Sequence, residues 1–227
     1  MNRRPLPFSA AVLVGVVGPF AFAVVHLVNA VTLESRLLDM DRENNLPTWF
    51  SSSLFLLAAV ACLGAAGQAE RRTGRLGWLV VALLSFAFSV DEVASVHEEA
   101  GRRLGAETTL SVAQPLAAVT VLVLLLVVAH AVGAPARRPL RLAGGVLLAS
   151  QVTATVAGLL VDGTGRFLLE TAEDTTEMLT ATALLAAALV GAGVRLDLRP
   201  SSVGHELRSW AAARDAEPAE PVHAWRS

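Results

Sequence analysis

Apolar runs of about 20 residues recur six times along this chain, each ended by a short polar stretch, which is the length a helix needs to cross a bilayer. They predict helices over roughly 8–32, 48–68, 76–99, 112–133, 141–161 and 167–194. Connections of about 6 to 15 residues suit antiparallel neighbours in a bundle. Gly18-Pro19 interrupts the first run, where a bend is tolerable because neighbouring helices can take up the freed backbone groups. Trp49 and Trp78 open the second and third runs, as interfacial aromatics do.

The arginines orient the bundle. Arg3 and Arg4 precede the first run, Arg71, Arg72 and Arg75 fill the second connection, Arg137, Arg138 and Arg141 the fourth, and Arg195 and Arg199 follow the sixth. The odd connections mix Arg36, Arg42, Arg102, Arg103 and Arg166 with acids such as Glu34, Asp39, Asp41, Glu43 and Asp162. The positive-inside rule then makes both termini cytoplasmic. The expected fold class is an all-α integral membrane six-helix bundle, N-in and C-in, spanning residues 1–195. Arg3 and Arg4 before an apolar run also resemble a signal peptide, but about 25 apolar residues exceed an h-region and no small-residue cleavage site follows, so a retained helix is expected.

Residues 196–227 form a separate cytoplasmic tail. Val203, Leu207 and Trp210 fall at i, i+4 and i+7, predicting a short amphipathic helix on the membrane surface, and the Glu-Pro-Ala-Glu-Pro composition after Asp215 predicts disorder.

Composition agrees with a multi-pass protein of a cell membrane. The chain is 54% hydrophobic with mean hydropathy +0.56, too apolar for a soluble domain. A net charge of −2 gives no footprint for nucleic acid, leaving the lipid bilayer as the expected partner. All 18 basic residues are Arg, a bias of GC-rich coding that points to a bacterial source and its inner membrane. The single cysteine, Cys62, lies in an apolar run and reads as a packing residue.

Against this background, eight acids lie where lipid should be. Asp91, Glu92, Glu98 and Glu99 end the third run, and Glu170, Glu173, Asp174 and Glu177 begin the sixth. A carboxylate at bilayer depth costs a few kcal/mol, so such groups face the bundle interior. The apolar stretch Leu76–Val90 spans only about 22 Å against a core of ~30 Å, which puts Asp91 inside the membrane. At 100° per residue Asp91, Ser95 and Glu98 share one face of the third helix, and Glu170, Glu173, Asp174 and Glu177 one face of the sixth. Both faces belong to the outer half, so the two helices are expected as direct neighbours. Glu170 and Glu173 are also placed where a helix dipole favours acids, and simple capping accounts for them equally well.

Other polar groups gather at this depth. His26 and Asn29 sit in the outer third of the first helix, and His97 lies beside Glu98, while Gln114 and Gln151 belong to the fourth and fifth helices. Asn45 or Asn44 with Pro47 reads as helix initiation. Ser51, Ser52 and Ser53 read as packing and hydrogen-bonding residues, because no adjacent base identifies a nucleophile. His130, His205 and His223 fall on the cytoplasmic side and receive no role.

Clustered carboxylates in low dielectric do not all ionise without protons, arginine or a cation among them. Carboxylates with imidazole suit a divalent metal such as Zn, Mn or Fe, and the candidate ligands are Asp91, Glu92, His97, Glu98, Glu173, Asp174, Glu177 and His26. No HExxH, HxxxH or repeated Glu-x-x-His motif accompanies them. The expected function is cation binding, of a divalent metal or of protons. A metal-dependent hydrolase acting on lipid or amide at the outer face, and a non-catalytic scaffold, are the alternatives. Ser89, Asp91, Glu92 and His97 on one helix resemble the intramembrane Ser, Asp and His of the alkaline ceramidase-like hydrolases, which the hydrolase alternative follows; the seventh helix and paired histidines of that superfamily are missing.

Overall fold

The computed structural model describes residues 8–32, 35–40, 45–94, 107–160 and 163–215, with the backbone alone at 107–115, 158–160 and 213–215. Among them are seven α-helices and no strand: α1 (Phe8–Thr32), α2 (Leu46–Gln68), α3 (Arg72–Ala94), α4 (Glu107–Ala131), α5 (Ala134–Leu160), α6 (Thr164–Gly191) and α7 (Pro200–Asp215), with a 3-10 turn at Arg36–Leu38. By length and composition α1, α2, α3 and the 134–157 stretch of α5 can each cross a membrane. The outer faces of these helices carry exposed Val14, Phe20, Leu57, Val60, Leu83 and Leu142, an apolar surface compatible with lipid.

α6 is the axis of the bundle. It packs on α5, α2 and α1, and its inner half (Ala181, Leu184, Leu185, Ala187 and Ala188) is buried. Small side chains let neighbouring backbones approach closely, and a helix enclosed by protein need not be apolar all round. That is why the most acidic helix stands at the centre. α3 packs chiefly on α2 and α4. It meets α6 only slightly, where the Trp78 ring covers Gly191, a residue with no room for a Cβ. The direct α3–α6 pairing expected from the acidic faces is thus largely replaced by α2, the main neighbour of α3 and a close neighbour of α6.

Several helices begin earlier than the apolar runs. Arg72 and Arg75 belong to α3, and Arg137, Arg138 and Arg141 to α5, whose Pro139 also lies inside the helix. Hydropathy marks where lipid ends, whereas the backbone stays helical for a further turn or two. Trp78 is 3% exposed, its ring packed against Gly191 of α6.

Specific hydrogen bonds join the elements. Ser52 on α2 and Ser89 on α3 bond reciprocally, each hydroxyl donating to the other's carbonyl at 2.9 and 3.0 Å. The Phe55 and Phe88 rings join the same two helices, tilted by 32° with centroids 5.3 Å apart. The Thr182 hydroxyl donates to the Gly15 carbonyl at 2.7 Å, linking α6 to α1. At the chain ends, Glu206 of α7 accepts from the Ser9 and Ala10 amides at 3.3 and 3.2 Å, and Ser9 Oγ accepts from the Asp197 amide. Val203 is buried and Leu207 faces outward, so the apolar stripe of α7 is divided between protein and surroundings. The tail beyond 215 lies outside the described residues.

Candidate functional site

The carboxylate end is organised by its first connection. Asn29 Oδ1 accepts from the Ser35 amide at 2.8 Å and its Nδ2 donates to the Ser35 carbonyl at 3.0 Å, folding the chain back over α1. His26, 1% exposed and stacked on Phe167 of α6 at 4.7 Å, accepts the Met40 amide on Nδ1 at 2.9 Å. A nitrogen that accepts carries no proton. The 3.8 Å approach of Asp39 to the same nitrogen is therefore a contact and not an ion pair while that bond holds. Asn45 caps α2 by accepting from the Thr48 amide at 2.7 Å and reaches back to the Asp39 carbonyl at 2.5 Å, with Pro47 in the first turn, as the sequence predicts.

Met40 and the first turns of α2 are thereby fixed above α3 and α6. They close a cavity of about 30 Å³, lined by Met40, Pro47, Thr48 and Ser51 on one side and by Glu92, Asp174, Glu177 and Met178 on the other. That volume holds a water molecule or a bare ion. Three carboxylates from two helices face it, all half-buried. The Ser51 hydroxyl donates to Glu92 Oε1 at 2.9 Å and so fixes one carboxylate from the α2 side.

The remaining candidate residues have different places. Asp91 and Glu173 are half-buried and do not line the cavity, and His26 is engaged with Met40 behind it. Glu170 accepts from Arg166 Nε at 2.7 Å, one turn earlier on α6. His97 and Glu98 lie outside the described residues, as do Ser95, Glu99, Asp41, Glu43, Arg102 and Arg103. Among the described residues no three His, Cys, Asp or Glu side chains form a group spaced to hold a metal. Ser51 was not among the residues expected at the site. Its signal was its position one turn into α2, facing α3, which only the α2–α3 packing reveals.

Ser89 is 7% exposed, and its hydroxyl is bonded to Ser52 across the α2–α3 seam. Ser53 donates to the Trp49 carbonyl within its own helix. α6 carries a ladder of such bonds, with Thr171, Thr175, Thr176 and Thr180 each donating to the carbonyl four residues earlier, whereas Thr182 has the Gly15 carbonyl at 2.7 Å as its nearer acceptor and the Met178 carbonyl at 3.0 Å. These hydroxyls satisfy themselves locally, which lets a Thr-rich helix sit in an apolar bundle.

Fold and site together define a helical protein with four helices long and apolar enough to cross a membrane and a carboxylate-lined cavity near one end. The chain belongs to the family described as a domain of unknown function, DUF8692, which matches residues 6–192. The match ends at Ala192, just past α6, and leaves out α7. No curated protein and no solved structure matches the chain.

Proposed function

We propose that this protein is a multi-pass membrane protein whose carboxylate cavity binds a small cation, a divalent metal in competition with protons. The observation that carries the reading is the convergence of Glu92, Asp174 and Glu177 on one water-sized space, with Ser51 holding Glu92 in place. Carboxylates gathered on one small space disfavour one another's ionised forms, which a shared proton or a cation among them offsets. For a metal such as Zn, Mn or Fe, the ligand set would extend to Asp91, Glu173 and His26 near the cavity and to His97 and Glu98, five and six residues after Glu92 in the sequence. Orientation follows from charge. Arg71, Arg72, Arg75, Arg137, Arg138 and Arg141 gather at the opposite end of the bundle, which the positive-inside rule makes cytoplasmic, leaving the cavity in the outer half and all six long helices crossing.

Elemental analysis of the full chain purified in detergent tests the occupant. The reading expects bound divalent metal in wild type after equilibration with Mn or Zn and its loss in Glu177→Gln. Retention of the same metal content in Glu177→Gln would remove Glu177 from the site. Reporter fusions at Ser227 and within 101–111 test the orientation, with cytoplasmic and exterior signals expected.

A further inference from the structure

A second, roomier space lies at the other end of the bundle. A cleft of about 470 Å³ opens where α2 meets α3, α4 meets α5, and α6 ends. Its polar lining is Arg71, Arg137, His130, Glu70 and Gln68, and Trp78 forms part of its apolar wall. The volume is that of a small organic ligand.

The chemistry of the lining is directional. Arg71 and Arg137 are both exposed, and among the described residues neither makes an ion pair, although Glu70 adjoins Arg71 in the chain. Arg137 donates Nε to the Val132 carbonyl at 3.3 Å, which anchors the side chain at the end of α4 and leaves its terminal nitrogens for the cleft. His130 Nδ1 lies 2.8 Å from the Leu126 carbonyl, an acceptor only, so Nδ1 carries the proton and Nε2 remains for a ligand. Helix ends of both signs meet here, the starts of α3 and α5 and the ends of α2, α4 and α6, so their dipoles largely offset. The two guanidiniums against a single carboxylate then decide the sign, and planar guanidinium forks match phosphate oxygens. The apolar wall adds room for an organic group attached to that phosphate.

We propose that this cleft binds a phosphate-bearing organic anion through Arg71 and Arg137. Such an anion reaches it either as a soluble phosphate ester or as an anionic lipid headgroup. The rim of a bundle with membrane-crossing helices is where headgroups lie, and basic pockets between helices on that side take them.

Native mass spectrometry of the full chain in detergent tests this with phosphatidylglycerol, phosphatidylcholine and glycerol 3-phosphate as probes. The expected result is at least tenfold preference for phosphatidylglycerol over phosphatidylcholine at low salt, weakened by added salt. The preference should fall at least tenfold in Arg71→Gln/Arg137→Gln and persist in Arg138→Gln, a neighbouring arginine outside the lining. Binding of glycerol 3-phosphate as well would assign a soluble ester, and its failure to bind a lipid source; both outcomes support the phosphate site. If the double variant does not fold, the single Arg71→Glu variant must show the same loss. No preference for phosphatidylglycerol together with no binding of glycerol 3-phosphate, or a preference unchanged in the variants, overturns the proposal.

Discussion

The Thr182 hydroxyl on α6 donates to the Gly15 carbonyl on α1 at 2.7 Å, and Gly15 is the residue whose carbonyl Pro19 leaves without its helical donor. Proline has no N–H, so the i−4 acceptor within α1 would be orphaned in an apolar environment. Gly15 also provides the space: a Cβ there would stand 2.7 Å from Thr182 Oγ1. The carbonyl that Pro19 frees in one helix is thus the docking point of another.

A double-mutant cycle reads this directly. Thr182→Val keeps the shape and removes the donor, and it should cost about 1–2 kcal/mol of stability in detergent. In a Pro19→Ala background the Gly15 carbonyl regains its own helical donor, so the same substitution should cost clearly less. Equal costs in both backgrounds would show that Thr182 acts through packing alone.

The reciprocal Ser52–Ser89 bonds make a similar cycle at the α2–α3 seam. Each Ser→Ala change leaves the partner hydroxyl buried with one bond fewer, whereas the double change removes both polar groups. Each single variant should lose about 0.6–1.5 kcal/mol, and the double variant less than the sum. Thermal denaturation of the four proteins measures it, with strict additivity as the contrary result.

Glu206 closes the chain on itself by accepting from two amides at the start of α1. Glu206→Ala should cost about 0.5–2 kcal/mol, as loss of an N-terminal cap does, and release α7. Faster hydrogen exchange across Pro200–Asp215, with α2 to α6 unchanged, is the expected signature. Unchanged exchange would mean that Val203 alone holds α7.

Asp197 initiates the turn into α7. Its carboxylate accepts from the Arg199 amide and the Ser202 hydroxyl, in that order of effect, which holds its pKa below the ordinary 3.8. A carboxyl with a lowered folded pKa contributes stability that is fully present above its unfolded value and lost as pH falls through the folded one. Carboxyl NMR should show Asp197 titrating below 3.8 in wild type and moving back toward that value in Ser202→Ala. The group is solvent-exposed, so the shift should shrink with added salt only through the weaker charge contribution of Arg199.

The helices themselves were legible as apolar runs, because bilayer thickness imposes a length that hydropathy reads well. Their starts were not, since Arg72, Arg75, Arg137 and Arg138 continue a helix past the point where the apolar run stops. Gathering of acids toward one end was also readable from helix order, and Glu92, Asp174 and Glu177 do face one cavity. What periodicity could not give was which helix stands between which. α2 inserts beside α3 and α6, bringing Ser51 and Thr48 to the cavity, and α6 becomes the axis despite its acids because protein encloses it. His26 and Asn29 read as polar groups at the depth of the site, and His26 Nδ1 and the Asn29 amide bond the backbone of the first connection.

The central claim is that Glu92, Asp174 and Glu177 form a cation site and not a buried burden. The most direct measurement is the melting temperature of the detergent-solubilised chain across pH, with and without Mn or Zn. A site predicts a rise with metal at neutral pH, set by concentration relative to the dissociation constant, which fades in acid as protons displace the metal. The same rise should be absent in Glu92→Gln and Glu177→Gln, with both variants still folded. No response to metal at any pH, combined with Gln variants that melt above wild type, would contradict the claim and identify the acids as charges the fold is better off without.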